Sequence, residues 1–355
     1  MVILNILGMT EKLLEKFYPN GHNKMKNTNQ AQTKVVVIGG GTGIFPVTAG
    51  LRHLDVDIST IISVSDSGGS TGRIRDEFGF QPVGDLRQSL AALAETDGEE
   101  WIRKLLLYRF EKGEGLKGHN LGNLILTALQ DLTGSTSEAL FRAEQIFRLK
   151  GEVIPATEET VDLKIDYTDG TSAVGEHILD DNANAKKIEG ISLTPIAKIN
   201  PHAKKAIIKA DYIIIGPGDY YASLMAALAP EGMSGAFQQS KAQVIFIMNL
   251  MTRLTQTKGM TAMDHLLKIE ERIGRKVDTV ILNNEPIPDN ILERYAQYGE
   301  DPVINDLNKD PRLVKAKIIS SQIFVKGYQD NTHRELLRHD SKKLQKVLAK
   351  IIDSN

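Results

Sequence analysis

Apolar residues in this chain fall into short unbroken runs, separated by longer stretches with helical spacing. The first run, Val35-Val-Val-Ile38, has no polar break and reads as a strand buried on both faces, as in a parallel sheet. Asp57–Ser65, Tyr212–Ile215, Gln243–Thr252 and Val277–Asn283 repeat the theme, and Lys317–Val325 is the last strand candidate. Between them, helices are predicted over Phe45–Leu54 (opening near Pro46), Gln81–Glu95, Trp101–Phe110, from Gly118 through Leu129, and over Ser135–Lys150. A terminal helix over about Thr332–Ile352 closes the chain. Trp101–Phe110 has the spacing of a core-packing helix, which puts Trp101 inside. The pattern changes from Glu152 to Pro195. Val161–Tyr167 alternates with period two, Thr168-Asp-Gly-Thr is a turn, and Ala173–Ile178 and Ile188–Leu193 follow as strand candidates. The acidic pairs Glu158-Glu159 and Asp180-Asp181 read as solvated loop charges. The expectation is an α/β fold, a Rossmann-like three-layer, mostly parallel sheet, with a β-rich insertion at about 152–195.

The strand ends carry the candidate chemistry. Val35–Ile38 runs into Gly39, Gly40, Gly41, Thr42 and Gly43. Such glycines allow a sharp turn and close backbone approach, and exposed N–H groups there suit an anion. The dinucleotide fingerprint fails, since Ile44 or Pro46 stands where the last Gly belongs, and no Gly-Lys-Ser/Thr follows for a P-loop. A tight turn without a ligand is the plain alternative. The second strand ends in Asp66, Ser67, Gly68, Gly69, Ser70, Thr71, Gly72 and Arg73, a set of hydroxyl, amide and guanidinium donors beside one carboxylate. Asp66 suits a divalent cation or a sugar hydroxyl. Asp85 and Arg87 either face the same crevice or cap and solvate their helix. His119, Asn120 and Asn123 cluster at a helix N-terminus, where Asn120 alone would read as a cap. Gly216, Pro217 and Gly218, then Asn249 and Thr252, end two further strands. In a parallel sheet all these ends meet in one crevice.

Composition narrows the classes. The chain has 355 residues, 41% hydrophobic, with a net charge of −2. That supports a large core and argues against nucleic acid as partner. There is no Cys, which removes disulfides and thiolate metal sites and fits a cytoplasmic location. No run of 18 apolar residues is present, so no membrane span is expected. Residues 1–33 read as a dispensable extension with Met25 as an alternative start, and residues 34–355 as the α/β domain.

Taken together, Lys34–Gly43, Val64–Gly72, Gly118-His-Asn-Leu-Gly-Asn123 and Ile215-Gly-Pro-Gly218 resemble the YvcK/CofD-like family, most closely its gluconeogenesis-factor branch, over about Lys34–Lys350. The resemblance implies a Rossmann-like, cytoplasmic protein that binds UDP-N-acetylglucosamine and links carbon metabolism to cell-wall precursor supply and cell shape. Gly40–Gly43 and Ser67–Arg73 would hold the diphosphate, with Gly216–Gly218 on the same rim. Asp66, His119, Asn120 and Asn123 would contact sugar or phosphate, and Asn249 and Tyr295 the base or sugar. A regulated enzyme partner and a homodimer are expected, and no cofactor is required. The other branch implies an alternative, a magnesium-dependent transferase acting on a nucleotide-activated substrate, like 2-phospho-L-lactate transferase, with Asp66 on the metal and His119 assisting. Relatives carry a Pro-Gly-Glu-Thr-like turn where this chain has Arg253–Thr257, and Asp219 is an addition after Gly218. A carboxylate beside a diphosphate is repulsive unless a cation or Arg intervenes.

Overall fold

The computed structural model describes residues 32–66, 79–94, 100–181, 185–320 and 337–353. The chain divides into two units, Met1–Gln32 and Thr33–Asn355, and every described strand and helix belongs to the second. Its strands are β1 (Thr33–Gly39), β2 (Val56–Ile62), β3 (Glu152–Pro155), β4 (Asp162–Tyr167), β5 (Ser172–Val174), β6 (Ile188–Thr194), β7 (Tyr212–Ile215), β8 (Gln243–Ile247), β9 (Thr279–Asn283) and β10 (Leu313–Ala316). Seven of them form one parallel sheet in the order β10-β9-β8-β7-β1-β2-β3. The chain therefore winds outward from β1 through β2 to β3, returns, and winds outward the other way from β7 to β10. That reversal is the topological switch of a doubly wound, Rossmann-like α/β fold.

Sequence explains the centre of the sheet. Val35, Val36, Val37 and Ile38 on β1, and Ile213, Ile214 and Ile215 on β7, are at most 2% exposed. A strand covered on both faces needs apolar residues at every position rather than at alternate ones. Around the sheet lie α1 (Gly41–Leu51), α2 (Gly84–Leu93), α3 (Glu100–Leu107), α4 (Leu121–Thr133), α5 (Thr136–Phe147), α6 (Pro201–Lys209), α7 (Met233–Gln239), α8 (Ala262–Ile273), α9 (Asp289–Ala296) and α10 (Ser341–Asp353). α1 packs on α2 and α10, while α7 packs on α6 and α8. The caps follow their usual chemistry. Ser135 caps α5, and Thr261 with Asp264 forms a capping box on α8.

Several expectations shift. α1 begins at Gly41, not near Pro46, which sits inside the helix. Glu152–Pro155 is the edge strand of the main sheet rather than part of the insertion. The insertion proper is the antiparallel sheet β5-β4-β6, and β4 alternates as predicted, with Leu163, Ile165 and Tyr167 buried. Beyond Val174 the expected strand gives way to Gly175, at φ 116°, and a 3-10 turn over Glu176–Asp180. The last strand is Leu313–Ala316. Residues 317–320 lie beyond it, with one bridge from Ile319 to His339, and residues 321–325 fall outside the described residues. α10 starts at Ser341, where Asp340 accepts from the Lys343 N–H at 2.9 Å, and Leu337 is buried ahead of it.

Trp101 is corrected outright, being 70% exposed. α3 carries two apolar stripes. It buries the one with Ile102 and Leu106, and leaves Trp101 and Leu105 outward, with the Lys104 ammonium 5.2 Å from the indole centre. Spacing alone cannot choose between two stripes on one helix.

Candidate functional site at the switch of the sheet

The carboxyl ends of β1 and β7 adjoin, and both carry glycine turns. Gly43 approaches so closely that a Cβ there would overlap Gly218 Cα and lie 2.6 Å from Pro217 O. Gly216, at φ 75°, donates its N–H to Ile38 O at 3.0 Å. The turns at Gly40–Gly43 and Gly216–Gly218 are thus one contiguous rim, with Thr42 exposed upon it.

The β1 turn is not an open cradle. Gly40 and Gly41 are buried beneath Asp85, Gln88 and Ser223. The Gly41 N–H donates to the Asp85 carboxyl, so a side chain already answers the amino end of α1. Burial, then the charges of Asp66 and Asp219, raise the Asp85 pKa from 3.8 to about 7, against the Gly41 bond and Arg87. Of the two residues left open by the sequence, Asp85 faces the crevice. Arg87 instead turns toward α3 and donates to Leu106 O at 3.3 Å.

Asp66 is half-buried and belongs to the same charged group. Glu176, from the insertion, faces Asp66, Asp180, Asp219 and Asp85, and burial with these neighbours raises its pKa from 4.5 to about 9. Asp180, read from the sequence as a solvated charge, pairs with Arg253, which also pairs with Asp219. Burial opposes the Arg253 charge, but the two carboxylates outweigh it and raise its pKa. The Arg required beside Asp219 is therefore present, supplied by the segment that departs from the family turn. Glu158 accepts from Asn200 Nδ2 at 2.7 Å, and Glu159 from the Lys198 N–H at 2.9 Å, so neither is a free loop charge. Among the described residues, no group of three or more His, Asp or Glu side chains is arranged to hold a metal ion.

On the β7–β9 side, Asn249 fastens the rim. It accepts from the Gly218 N–H at 3.3 Å and donates to Gly218 O at 2.8 Å. Beside it, at the ends of β8 and β9, lies a cavity of about 220 Å³. Asn249, Asn283 and Glu285 give it a polar side, and Leu250, Leu282 and Ile287 an apolar one. That mixture suits a planar ring with polar edges.

Other candidates carry structural duties. Asn120 caps α4, accepting from the N–H groups of Gly122 at 2.9 Å and Asn123 at 3.4 Å. Asn123 is buried, and among the described residues its Oδ1 has no hydrogen-bond partner. His119 is half-buried, and its carbonyl accepts from the Phe110 N–H at 2.9 Å. Thr252 is buried and exchanges hydrogen bonds with Asp301. Tyr295 is buried with Leu250, Ile291, Ile319 and Leu337, and its hydroxyl accepts the Leu337 N–H at 2.6 Å. Tyr295→Phe would strand that buried N–H. A loss of about 1–2 kcal/mol in urea unfolding is expected, with ligand affinity unmoved. Ser67, Gly68, Gly69, Ser70, Thr71, Gly72 and Arg73 lie outside the described residues.

The sequence reading missed Ser223, Glu176, Asp180 and Arg253 as parts of the rim. Their partners are distant in the chain, Asp180 and Arg253 being 73 positions apart. One signal was available. Asp219 and Arg253 follow two consecutive strands of the sheet, so their opposite charges meet at one edge.

Comparison with known proteins agrees with the fold. The family described as 2-phospho-L-lactate transferase CofD matches residues 35–324. The gluconeogenesis factor of Halalkalibacterium halodurans is 37% identical over 316 residues, covering 88% of this chain and 95% of that protein. The gluconeogenesis factor of Bacillus subtilis is 34% identical over 322 residues, covering 90% and 98%. A crystal structure of a Bacillus halodurans protein superposes with a TM-score of 0.80 at 34% identity, covering 90% of this chain and 99% of that one.

Proposed function

The chain belongs to the CofD-like family and is most like its gluconeogenesis-factor branch, and from that premise we propose that it is a cytoplasmic regulator that binds a nucleotide sugar, UDP-N-acetylglucosamine, and couples carbon metabolism to cell-wall precursor supply. The observation that carries this reading is the rim itself. Two glycine turns touch at the switch of the sheet, and Asn249 joins them to a cavity of about 220 Å³. Crevices at such switch points are where doubly wound sheets bind nucleotides. In this reading the base enters the cavity, and the diphosphate crosses the rim near Thr42, Gly43 and Gly218. The sugar lies toward Asp66.

The relatives' names favour regulation over the transferase chemistry of the family's title. Among the described residues, no helix is long and apolar enough to cross a membrane.

Isothermal titration with UDP-N-acetylglucosamine, UDP and N-acetylglucosamine tests the reading. Micromolar binding of the first is expected, weakened at least tenfold by Asn249→Ala or Asp66→Ala. Absence of binding by the unaltered protein would sink the proposal, and unchanged affinity in both variants would remove the ligand from this rim.

A further inference from the structure

Residues just beyond β8 gather contacts from distant parts of the chain. Arg253 is 15% exposed, and its guanidinium pairs with Asp219 after β7 and with Asp180 in the 3-10 turn of the insertion. Thr255 donates its hydroxyl to Leu179 O in that same turn. Gln256 Oε1 accepts the N–H groups of Tyr221 at 3.0 Å and Ala222 at 3.3 Å, just beyond Asp219. One short segment therefore stitches the insertion's turn, the β7 turn and the helical stretch after it into a single edge. The planar fork of Arg can hold two carboxylates at once, which a Lys ammonium does less well.

We propose that Arg253 is a positioning residue that clasps the Glu176–Asp180 turn onto the carboxyl edge of the main sheet, and so makes Glu176 a wall of the ligand site facing the sugar-phosphate portion of a nucleoside diphosphate sugar. The ligand's identity rests on the function proposed above, whereas the clasp does not. Gly175, with its positive φ, turns the chain out of β5 into the 3-10 turn that Asp180 and Leu179 fasten to the segment after β8, and the half-buried Glu176 in that turn feels the charges of Asp66, Asp85 and Asp219. Among the described residues, the charged groups around Glu176 are Asp66 after β2, Asp85 on α2, Asp219 after β7 and Asp180 on its own turn, with Arg253 paired to the last two. A carboxyl group in that company keeps its proton and donates a hydrogen bond to a ligand oxygen. The rest of the insertion has its own anchors. Leu163, Ile165 and Leu193 are buried in the main core, and Arg272 donates to Ile191 O at 2.7 Å. Breaking the clasp thus loosens the turn on either side of Leu179, which burial and Thr255 still hold, and leaves β4 and β6 in place.

Hydrogen exchange on the ligand-free full chain decides the clasp. Arg253→Ala is expected to speed exchange across residues 176–181 at least tenfold without changing β4 or β6. Arg253→Lys is expected to fall between Ala and the unaltered protein. Unchanged exchange across 176–181 in Arg253→Ala overturns the clasp, whatever the ligand does. Titration of UDP-N-acetylglucosamine from pH 8 to pH 9.5, above the range in which Asp85 ionises, decides Glu176. The unaltered protein is expected to lose affinity at least fivefold toward pH 9.5, as Glu176 ionises beside an anion. Glu176→Gln is expected to keep the native exchange pattern and lose that decline. Superimposable pH profiles overturn the role of Glu176. A protein that binds no nucleotide sugar overturns it too, together with the proposed function, while the exchange result still stands on its own.

Discussion

Gly41→Ala is expected to destabilise the protein by about 3 kcal/mol, read as a lower urea midpoint, although it adds a single methyl group. Helix propensity alone argues the other way, since Ala inside a helix is worth up to about 1 kcal/mol over Gly. Contact decides the sign. A Cβ at Gly41 would overlap the main-chain oxygen of Asp85 and sit 2.7 Å from Gln88 Cβ, both on α2. A flexible side-chain tip could swing away, but a carbonyl inside a helix can move only with the helix. α2 is held by Leu86 and Leu90, both fully buried, so it cannot yield without opening the core. The displaced α2 would also take the Asp85 carboxyl away from the Gly41 N–H. Gly235 on α7 supplies the control. A Cβ there meets nothing within 4 Å, so Gly235→Ala should raise stability by about 0.5–1 kcal/mol. A Gly41→Ala protein as stable as the unaltered one would show that α1 and α2 are not locked together at this turn.

This glycine shows what could be read from the sequence and what could not. The run Val35–Ile38 followed by glycines marked a central strand meeting a tight turn, and the second apolar run, Tyr212–Ile215, marked its neighbour across the switch. Both signals are local, and a strand covered on both faces declares itself by the lack of polar positions. What fills the space over a turn is not local. Asp85 approaches Gly41 from 44 positions further along the chain, so the same glycines are consistent with an open anion cradle or a packed one. Trp101 fails for a related reason, because α3 offers two apolar stripes and only the neighbouring elements select Ile102 and Leu106 for burial. Asp180 and Arg253 could be paired only once the insertion was known to fold back over the ends of β7 and β8. Charges that read as solvated, and a turn that read as a departure, become one ion cluster through tertiary structure alone.

That cluster should make stability depend on pH in a direction unusual for carboxylates. The Asp85 pKa is raised from 3.8 to about 7, first by burial and then by the charges of Asp66 and Asp219. Between those two values the folded protein holds a proton that the unfolded chain has released. Stability must therefore fall as pH rises from about 4 to about 7, and then level off as far as Asp85 is concerned. Carboxylates held low by ion pairs, such as Asp310 with Arg312, contribute the opposite slope, but theirs lies at the acid end, near pH 2 to 4. The two windows do not overlap, but Glu176, and Glu144 on α5, whose pKa burial raises to about 7, add slopes of the same sign as Asp85, so the Asp85 effect is read as a difference between the unaltered protein and a variant. Asp85→Asn removes the titration yet keeps an oxygen to accept the Gly41 N–H and about the same volume. The variant is expected to match the unaltered protein near pH 4.5 and to exceed it by about 2 kcal/mol at pH 8, a value reduced from the full shift because Asp85 is only half-buried at its surface. Urea unfolding at pH 4.5, 6, 7 and 8 measures the difference. Parallel curves for the two proteins would mean that Asp85 ionises at its ordinary pKa, and that the rim is more open to water than its packing against Gly40 and Gly41 implies.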